Sequence, residues 1–238
     1  KAAIDGYSNN GIFAKTLPAR GNHDAEQANS TVNWQIYYNV AATVARVGGS
    51  NYNYLVDDIT YSFDYGNSHF VALDVLGDVN TMTTAQINWL DSDLAAAEAR
   101  GQTHAFLYWH GPIYPGAEHC CAVPSSSLIA VLNKHNSVAA TFHGHEHSLF
   151  YEHINSTRIA GITHPFEEFV SANAGVDHTY PMSRAVDWSM TLNCPTSGGY
   201  CSPPIHGFVT VDVSGTSFTV NAYRKGITSP QNTWTFNK

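Results

Sequence analysis

The sequence predicts an α/β fold in which buried strands alternate with helices. Two nearly continuous apolar runs, 70–75 and 103–109, are typical of strands that are covered on both faces. A helical pattern follows each run, and a third strand, 137–142, follows the second helix. After about residue 160 the pattern changes to the alternation of antiparallel strands. This order of elements indicates a layered sheet with parallel and antiparallel members.

The first segment with strand character is 16–20, which ends at Arg20. The next is a hairpin over 61–75, because Tyr61, Phe63 and Tyr65 alternate with polar residues before the turn pair Gly66-Asn67 and an apolar run follows it. Its second arm contains the first of the two apolar runs. Both segments are therefore predicted members of the same sheet system.

Two helices are predicted between the later strands. The first begins at Thr83-Thr84-Ala85-Gln86, which has the form of a capping box, and ends at Gly101. The second covers 125–135, with three apolar residues on one face. Near the end of the chain, 206–224 predicts an antiparallel hairpin around Ser214-Gly215. Because the chain has no repeats and no obvious linker, we expect one domain over 1–238.

Composition excludes some classes of partner. The chain has 238 residues, of which 13% are charged, and its net charge is −8. It has no basic run, which argues against nucleic acid as a partner and against an anionic membrane surface. No apolar run approaches the roughly 20 residues of a membrane span.

Other features are typical of a secreted protein. Cys194 and Cys201 bracket a flexible loop, so we predict a disulfide between them. Cys120 and Cys121 are adjacent, and either a strained vicinal bridge or two thiols is compatible with that spacing. Two sequons, at Asn29 and Asn155, could accept N-glycans. Together these features predict an extracellular, disulfide-containing glycoprotein.

Metal-binding residue types follow three of the predicted strands. Gly21-Asn22-His23-Asp24 follows 16–20, His110-Gly111 follows 103–109, and His143-Gly144-His145-Glu146-His147 follows 137–142. Each motif alone is more typical of an ordinary turn or a capped strand end. In open α/β sheets, however, sites form outside the carboxyl ends of the strands, so the three motifs are expected to meet. The combination therefore predicts a metal centre, with glycines that let the backbone turn tightly beside it.

These motifs resemble those of the calcineurin-like metallophosphoesterase superfamily, which includes the purple acid phosphatases. The resemblance covers roughly residues 16 to 225 and rests on the GNHD, single-His and GHEH motifs in that order. It implies a layered α/β/β/α sandwich with mixed sheets. It also implies hydrolysis of phosphate esters by metal-activated hydroxide at a two-metal centre.

The resemblance implies a role for each motif residue. Asn22, His110 and His145 resemble ligands of the second metal, and His147 resembles a ligand of the first. Imidazole and carboxamide ligands suit Zn²⁺, Fe or Mn²⁺. Two further residues resemble the catalytic pair: His23 would protonate the leaving group or clamp the phosphoryl oxygen, and Asp24 would orient its ring.

The chain departs from the family pattern at its beginning. The Asp-x-His and Gly-Asp motifs belong ahead of GNHD, but the residues before Gly21 contain only Asp5-Gly6. The opening strands and the bridging carboxylate are therefore expected upstream of Lys1, in a missing segment or a separate chain. We then expect the chain to be a fragment with an incomplete centre, holding at most one metal weakly. One sheet should expose an apolar edge where its front strands are missing.

Two alternatives remain open from the sequence. The first is a non-catalytic binding or structural protein that keeps the metallophosphoesterase shell. The second is a zinc site at His119, Cys120 and Cys121, although adjacent residues converge poorly on one tetrahedral ion. The substrate class also stays open between monoesters, diesters and nucleotides. Four residues are candidates for lining the cleft: Tyr114, His119, His178 and Tyr180.

Overall fold

An eight-stranded mixed sheet forms the centre of the protein. The computed structural model describes residues 11–26, 28–117 and 124–238. The strand order of the large sheet is β1-β2-β3-β4-β5-β7-β6-β8. Its strands are β1 (Ser50–Val56), β2 (Thr60–Tyr65), β3 (Ser68–Ala72), β4 (His104–Trp109), β5 (Val138–His143), β6 (Leu149–Ile154), β7 (Phe166–Ser171) and β8 (Trp188–Ser189). The neighbours β3, β4, β5 and β7 are parallel and the other pairs are antiparallel, which confirms the predicted fold class.

The helices lie mostly ahead of or between the central strands. They are α1 (Asn22–Ala25), α2 (Ser30–Tyr37), α3 (Val40–Val47), α4 (Thr84–Ala99) and α5 (Ser126–Lys134), with 3-10 turns at Ile12–Lys15 and Val79–Thr81. α4 begins after Thr83, whose side chain forms the predicted capping box with Gln86. In β2 and β3, Tyr65 pairs with Ser68 across the predicted turn. Both local predictions are therefore confirmed.

α4 and α5 cover one face of the large sheet. Leu90 and Leu94 of α4 and Leu128 of α5 are completely buried against strand residues that include Val71 and Leu107. Each fully buried leucine contributes on the order of 2 kcal/mol to folding. This apolar layer includes Trp109, the residue that precedes His110.

A second sheet packs on the other face. It consists of β11 (Gly207–Ser214), β12 (Ser217–Arg224) and β13 (Asn232–Asn237), in that order. Phe218 of β12 packs against Phe106 of the large sheet, in an apolar cluster that also contains Phe169. Ser214 pairs with Ser217, which confirms the predicted hairpin. A small pair, β9 (Thr196–Ser197) and β10 (Tyr200–Cys201), lies within the loop that the disulfide closes.

β11 is the outer strand of the second sheet. Val211 and Val213 are each 36% exposed along it. A cavity of about 460 Å³ separates β11 from the large sheet, and it is lined by Leu17, Phe63, Phe70, Phe106, Tyr108, Phe142, Val209, Val211 and Val213. The expectation that missing front strands leave an apolar sheet edge stays a prediction.

The predicted strand over 16–20 is wrong, because these residues are irregular in the structure. Pro18 has no N–H for a strand ladder, and its carbonyl accepts a 2.8 Å hydrogen bond from the Tyr61 hydroxyl. Arg20 donates two 2.7 Å hydrogen bonds to Asp74. Side-chain contacts, rather than a backbone ladder, therefore bring Gly21 to the edge of the sheet.

Within the part of the chain that the structure describes, no helix combines the length and apolar character needed to cross a membrane.

Candidate metal centre

Parallel pairing brings the ends of β4 and β5 together. Trp109 pairs with His143 at the last step of the ladder, so His110 and Gly144 leave the sheet side by side. The Gly144 N–H donates a 2.8 Å hydrogen bond to the His110 carbonyl, and the His110 N–H donates to Val75 at 3.2 Å. The segments that follow β3, β4 and β5 are therefore joined at one edge.

Three predicted ligands meet at this edge. Nε2 of His110 lies 2.9 Å from Oδ1 of Asn22 and 3.2 Å from Nδ1 of His145. Donor atoms that bind one ion at about 2.1 Å are themselves about 3.0–3.4 Å apart. The two distances from Nε2 of His110 therefore fit atoms that share a metal ion, and the three donor types suit a borderline ion.

Two glycines allow the His110 ring to pack against the backbone. A Cβ at Gly21 would lie 2.9 Å from the His110 ring, and a Cβ at Gly144 would lie 2.8 Å from its Nδ1. A Cβ at Gly111 would overlap the carbonyl of Gly77. The sequence interpretation attributed these glycines to tight turning. The structure assigns them close approach instead, since none of the three has a positive φ.

Two site histidines adopt a left-handed backbone. His145 has φ 67° and His147 has φ 47°. This conformation costs a non-glycine residue about 1–2 kcal/mol, so the surrounding contacts must compensate for it. Strain of this kind is concentrated at functional sites. Here the left-handed backbone sets the direction of the His145 and His147 side chains.

The electrostatics of the edge keep His110 neutral. Burial, followed by the nearby histidines His145, His23, His143 and His147, lowers the pKa of His110 to about 4. A neutral imidazole is the form that binds metals, because protonation removes the lone pair. The site therefore presents His110 in a ligand-competent state near neutral pH.

His147 lies beside this group. Its charge lowers the His110 pKa, and its ring centroid is 5.6 Å from that of Tyr180. Across residues 11–26, 28–117 and 124–238, no group of three or more His, Cys, Asp or Glu side chains is placed to hold a metal ion. The role of His147 at a first metal stays a prediction.

The expected pairing of Asp24 with the His23 ring is not what the structure shows. Oδ2 of Asp24 accepts a 2.8 Å hydrogen bond from the Gly21 N–H and so caps α1. Nδ1 of His23 instead lies 3.3 Å from Oε2 of Glu26. The helical turn explains the exchange, because residues three apart share a face. His23 itself is exposed, as a proton donor at the mouth of a site would be.

Sequence reasoning missed Glu168, which holds the loop after β4. Its carboxylate accepts the N–H of Ile113 at 2.8 Å and that of Tyr114 at 3.0 Å. It also lies 3.1 Å from Nε2 of His143. Glu168 is completely buried. Two adjacent glutamates inside the apolar strand β7 were the signal that could have identified it.

The candidate cleft residues separate in the structure. Tyr114 packs under the guanidinium of Arg158, 5.6 Å from the ring centroid. His178 and Tyr180 lie near His147 in a cluster of rings. His119, Cys120 and Cys121, together with Asp5, lie outside the described residues, so the proposed zinc site and vicinal bridge stay predictions. The predicted disulfide Cys194–Cys201 is confirmed.

Three comparisons with known proteins show what this chain is similar to. Residues 3–149 match the family model of the calcineurin-like phosphoesterases. A stretch of 99 residues is 33% identical to purple acid phosphatase 23 of Arabidopsis thaliana, covering 42% of this chain but only 20% of the plant protein. The structure described as GAP50, the anchor in the inner membrane complex of Plasmodium, superposes with a TM-score of 0.50 at 13% identity. That match covers 79% of this chain and 53% of the other, and it shows a shared fold.

Proposed function

This chain belongs to the calcineurin-like phosphoesterase family, and from that membership we propose that it hydrolyses small phosphate esters at a two-metal centre. The observation that carries the proposal is the spacing of three donor atoms, on Asn22, His110 and His145. These residues would hold one ion of Zn, Fe or Mn, and His147 would contribute to the other. Bound metal would polarise the phosphoryl oxygens and activate water for attack.

The chain's own residues would orient the ester and handle the proton. The exposed imidazole of His23 follows directly after the ligand Asn22, which suits it to protonate the leaving oxygen. Glu168 would keep His110 in position, because it holds the backbone of the loop that follows this residue. The exposed carboxylate of Glu26, which contacts Nδ1 of His23, would orient the His23 ring.

We also propose an extracellular location and a missing carboxylate donor. The Cys194–Cys201 disulfide supports an oxidising compartment. The three clustered donors are all neutral, so they leave the charge of a divalent ion without compensation. A carboxylate from a preceding segment or a separate chain would supply it. Without that contribution, we expect one weakly held ion and little hydrolysis.

Metal titration tests the proposal directly. Calorimetric titration with Zn²⁺ and Mn²⁺ should give at least tenfold weaker binding for His145→Ala than for the unaltered chain. The matched control is His153→Ala, a half-exposed histidine beside Glu167 and remote from the motifs. Turnover of p-nitrophenyl phosphate should fall with metal binding. Equal metal affinity in His145→Ala and the control would contradict the proposed ligand set.

A second candidate is a non-catalytic binding or structural role. The Plasmodium protein with the same fold is described as an anchor, which is a role of this kind. The carboxylate-free donor set of Asn22, His110 and His145 favours it for this chain. Metal binding without turnover, even after a carboxylate-bearing segment is supplied, would favour this candidate over the enzyme.

A further inference from the structure

A row of aromatic rings extends from His147 toward solvent. The Tyr180 centroid is 5.6 Å from that of His147 and 5.2 Å from that of Tyr200. The Tyr200 centroid is in turn 4.4 Å from that of His178. Tyr180 and Tyr200 are half-buried and His178 is exposed. We call Tyr180, Tyr200 and His178 the aromatic row.

Covalent and backbone contacts hold the aromatic row in place. The Cys194–Cys201 disulfide closes the loop that carries Tyr200. The Cys201 N–H donates a 2.8 Å hydrogen bond to the Thr179 carbonyl, and the Tyr180 N–H donates to the His147 carbonyl at 3.3 Å. The row is therefore fixed relative to the GHEH motif. A preformed surface binds a ligand with less ordering cost than a mobile loop.

The position of the row defines which part of an ester it would meet. A phosphate ester has a phosphoryl group, which the predicted metal ligands would take, and a leaving group on the far side of the ester oxygen. His147 belongs to the predicted ligand set and touches the first ring of the row. A leaving group that points toward His147 would therefore lie along the aromatic row.

We propose that the aromatic row is the leaving-group subsite and that it selects esters whose leaving group is a planar aromatic ring. This inference rests on the proposed phosphoesterase function. Aromatic rings attract one another in offset or edge-to-face arrangements beyond the effect of buried area. An aliphatic group of the same size would gain only the burial of apolar surface. The aromatic row should therefore distinguish a planar aromatic leaving group from an aliphatic one of the same size.

Binding of non-hydrolysable phosphonates tests the subsite. Calorimetry of the 238-residue chain with Zn²⁺ should show phenylphosphonate binding about fivefold to tenfold more tightly than methylphosphonate. Cyclohexylphosphonate should bind more weakly than the phenyl compound. Tyr200→Leu should abolish the preference and Tyr200→Phe should retain it. Tyr65→Leu, which alters a tyrosine that is 54% exposed elsewhere, is the matched control.

Two further ligands identify which class of ester carries the aromatic ring. Adenosine 5′-monophosphate and ribose 5-phosphate are compared as competitors of phenylphosphonate. Tighter binding of adenosine 5′-monophosphate than of ribose 5-phosphate indicates nucleotides as substrates. If only phenylphosphonate binds more tightly than its non-aromatic counterpart, small aryl esters are indicated. Equal affinity for all three phosphonates would overturn the inference and leave the proposed function standing. Failure of every phosphonate to bind, methylphosphonate included, would overturn both.

Discussion

Two histidine clusters in this protein, one buried and one half-buried, have opposite chemistry. Nδ1 of His69 lies 2.7 Å from Asp64, and its Nε2 lies 2.9 Å from Asp93. Arg100 donates two further hydrogen bonds to Asp64. At the candidate metal centre, by contrast, His110 faces the carboxamide of Asn22 and the ring of His145. One ring is enclosed by carboxylates and the other by neutral donors.

The chemistry of the partners separates a structural histidine from a ligand. Both ring nitrogens of His69 face carboxylates, so neither of them faces a position that a metal could occupy. Burial opposes ionisation of Asp64, but hydrogen bonds from Arg100 and His69 outweigh it and lower the pKa of this carboxyl. His110 instead contacts an amide and an imidazole, and its lowered pKa keeps a lone pair available. His135, held between Asp91 and Glu98, repeats the structural pattern.

The largest effect is expected at the structural cluster. His69→Ala would leave Asp64 and Asp93 facing each other in a buried site, which should cost about 3–5 kcal/mol of unfolding free energy. Zinc affinity should stay the same in the fraction that is folded. Urea unfolding and metal titration measure the two quantities, with His153→Ala as the control. A loss below about 1 kcal/mol would mean that His69 is not the structural element described above.

A buried carboxylate without a histidine partner should respond to pH instead. Burial, followed by the charge of Asp187, raises the pKa of Glu152 to about 8, against the opposing effect of Arg158. Because the folded pKa lies above the unfolded one, the folded state binds the proton more tightly. The stability that Glu152 contributes should therefore be greatest below its ordinary pKa of 4.5 and should be lost as pH rises toward 8.

Glu152→Gln removes this titration. The unaltered protein should lose on the order of 2–3 kcal/mol of unfolding free energy between pH 5 and pH 8 relative to the variant. Chemical unfolding at several pH values measures the difference. Asp212→Asn, at an exposed carboxylate on β11, should leave the slope unchanged. Parallel pH profiles for the unaltered protein and Glu152→Gln would show that Arg158 keeps Glu152 ionised.

The smallest effect on the free energy of unfolding is expected at the candidate metal centre, where one substitution should relieve strain and so raise stability. His145 has φ 67°, a conformation that glycine adopts without strain. His145→Gly should therefore be about 1 kcal/mol more stable than His145→Ala without metal, while both variants bind zinc at least tenfold more weakly than the unaltered chain. Thermal unfolding with chelator and zinc titration measure the two effects. Equal stability of the two variants would rule out stored strain at this position.

Local patterns in the sequence were sufficient for the elements between residues 61 and 143 and for the hairpin over 206–224. The capping box at Thr83, the turn at Gly66-Asn67 and the hairpin around Ser214-Gly215 all occur as predicted, because each depends on residues within one turn of one another. The short spacing of Cys194 and Cys201 was enough to predict their disulfide. The strand over 16–20 failed because Pro18 has no N–H and the segment is held by distant side chains.

The tertiary structure decided which polar residues act together. The sequence contains 13 histidines, and their patterns did not show that His69 is enclosed by carboxylates. Asn22 and His110 are 88 positions apart and meet because the Arg20–Asp74 contact holds the segment before Asn22 at the edge of the sheet. Glu168 reaches Ile113 across 55 positions, and Glu26 takes the position expected for Asp24. Periodicity and turn chemistry act over a few residues, whereas the partners of a buried polar group are set by the packing of the whole sheet.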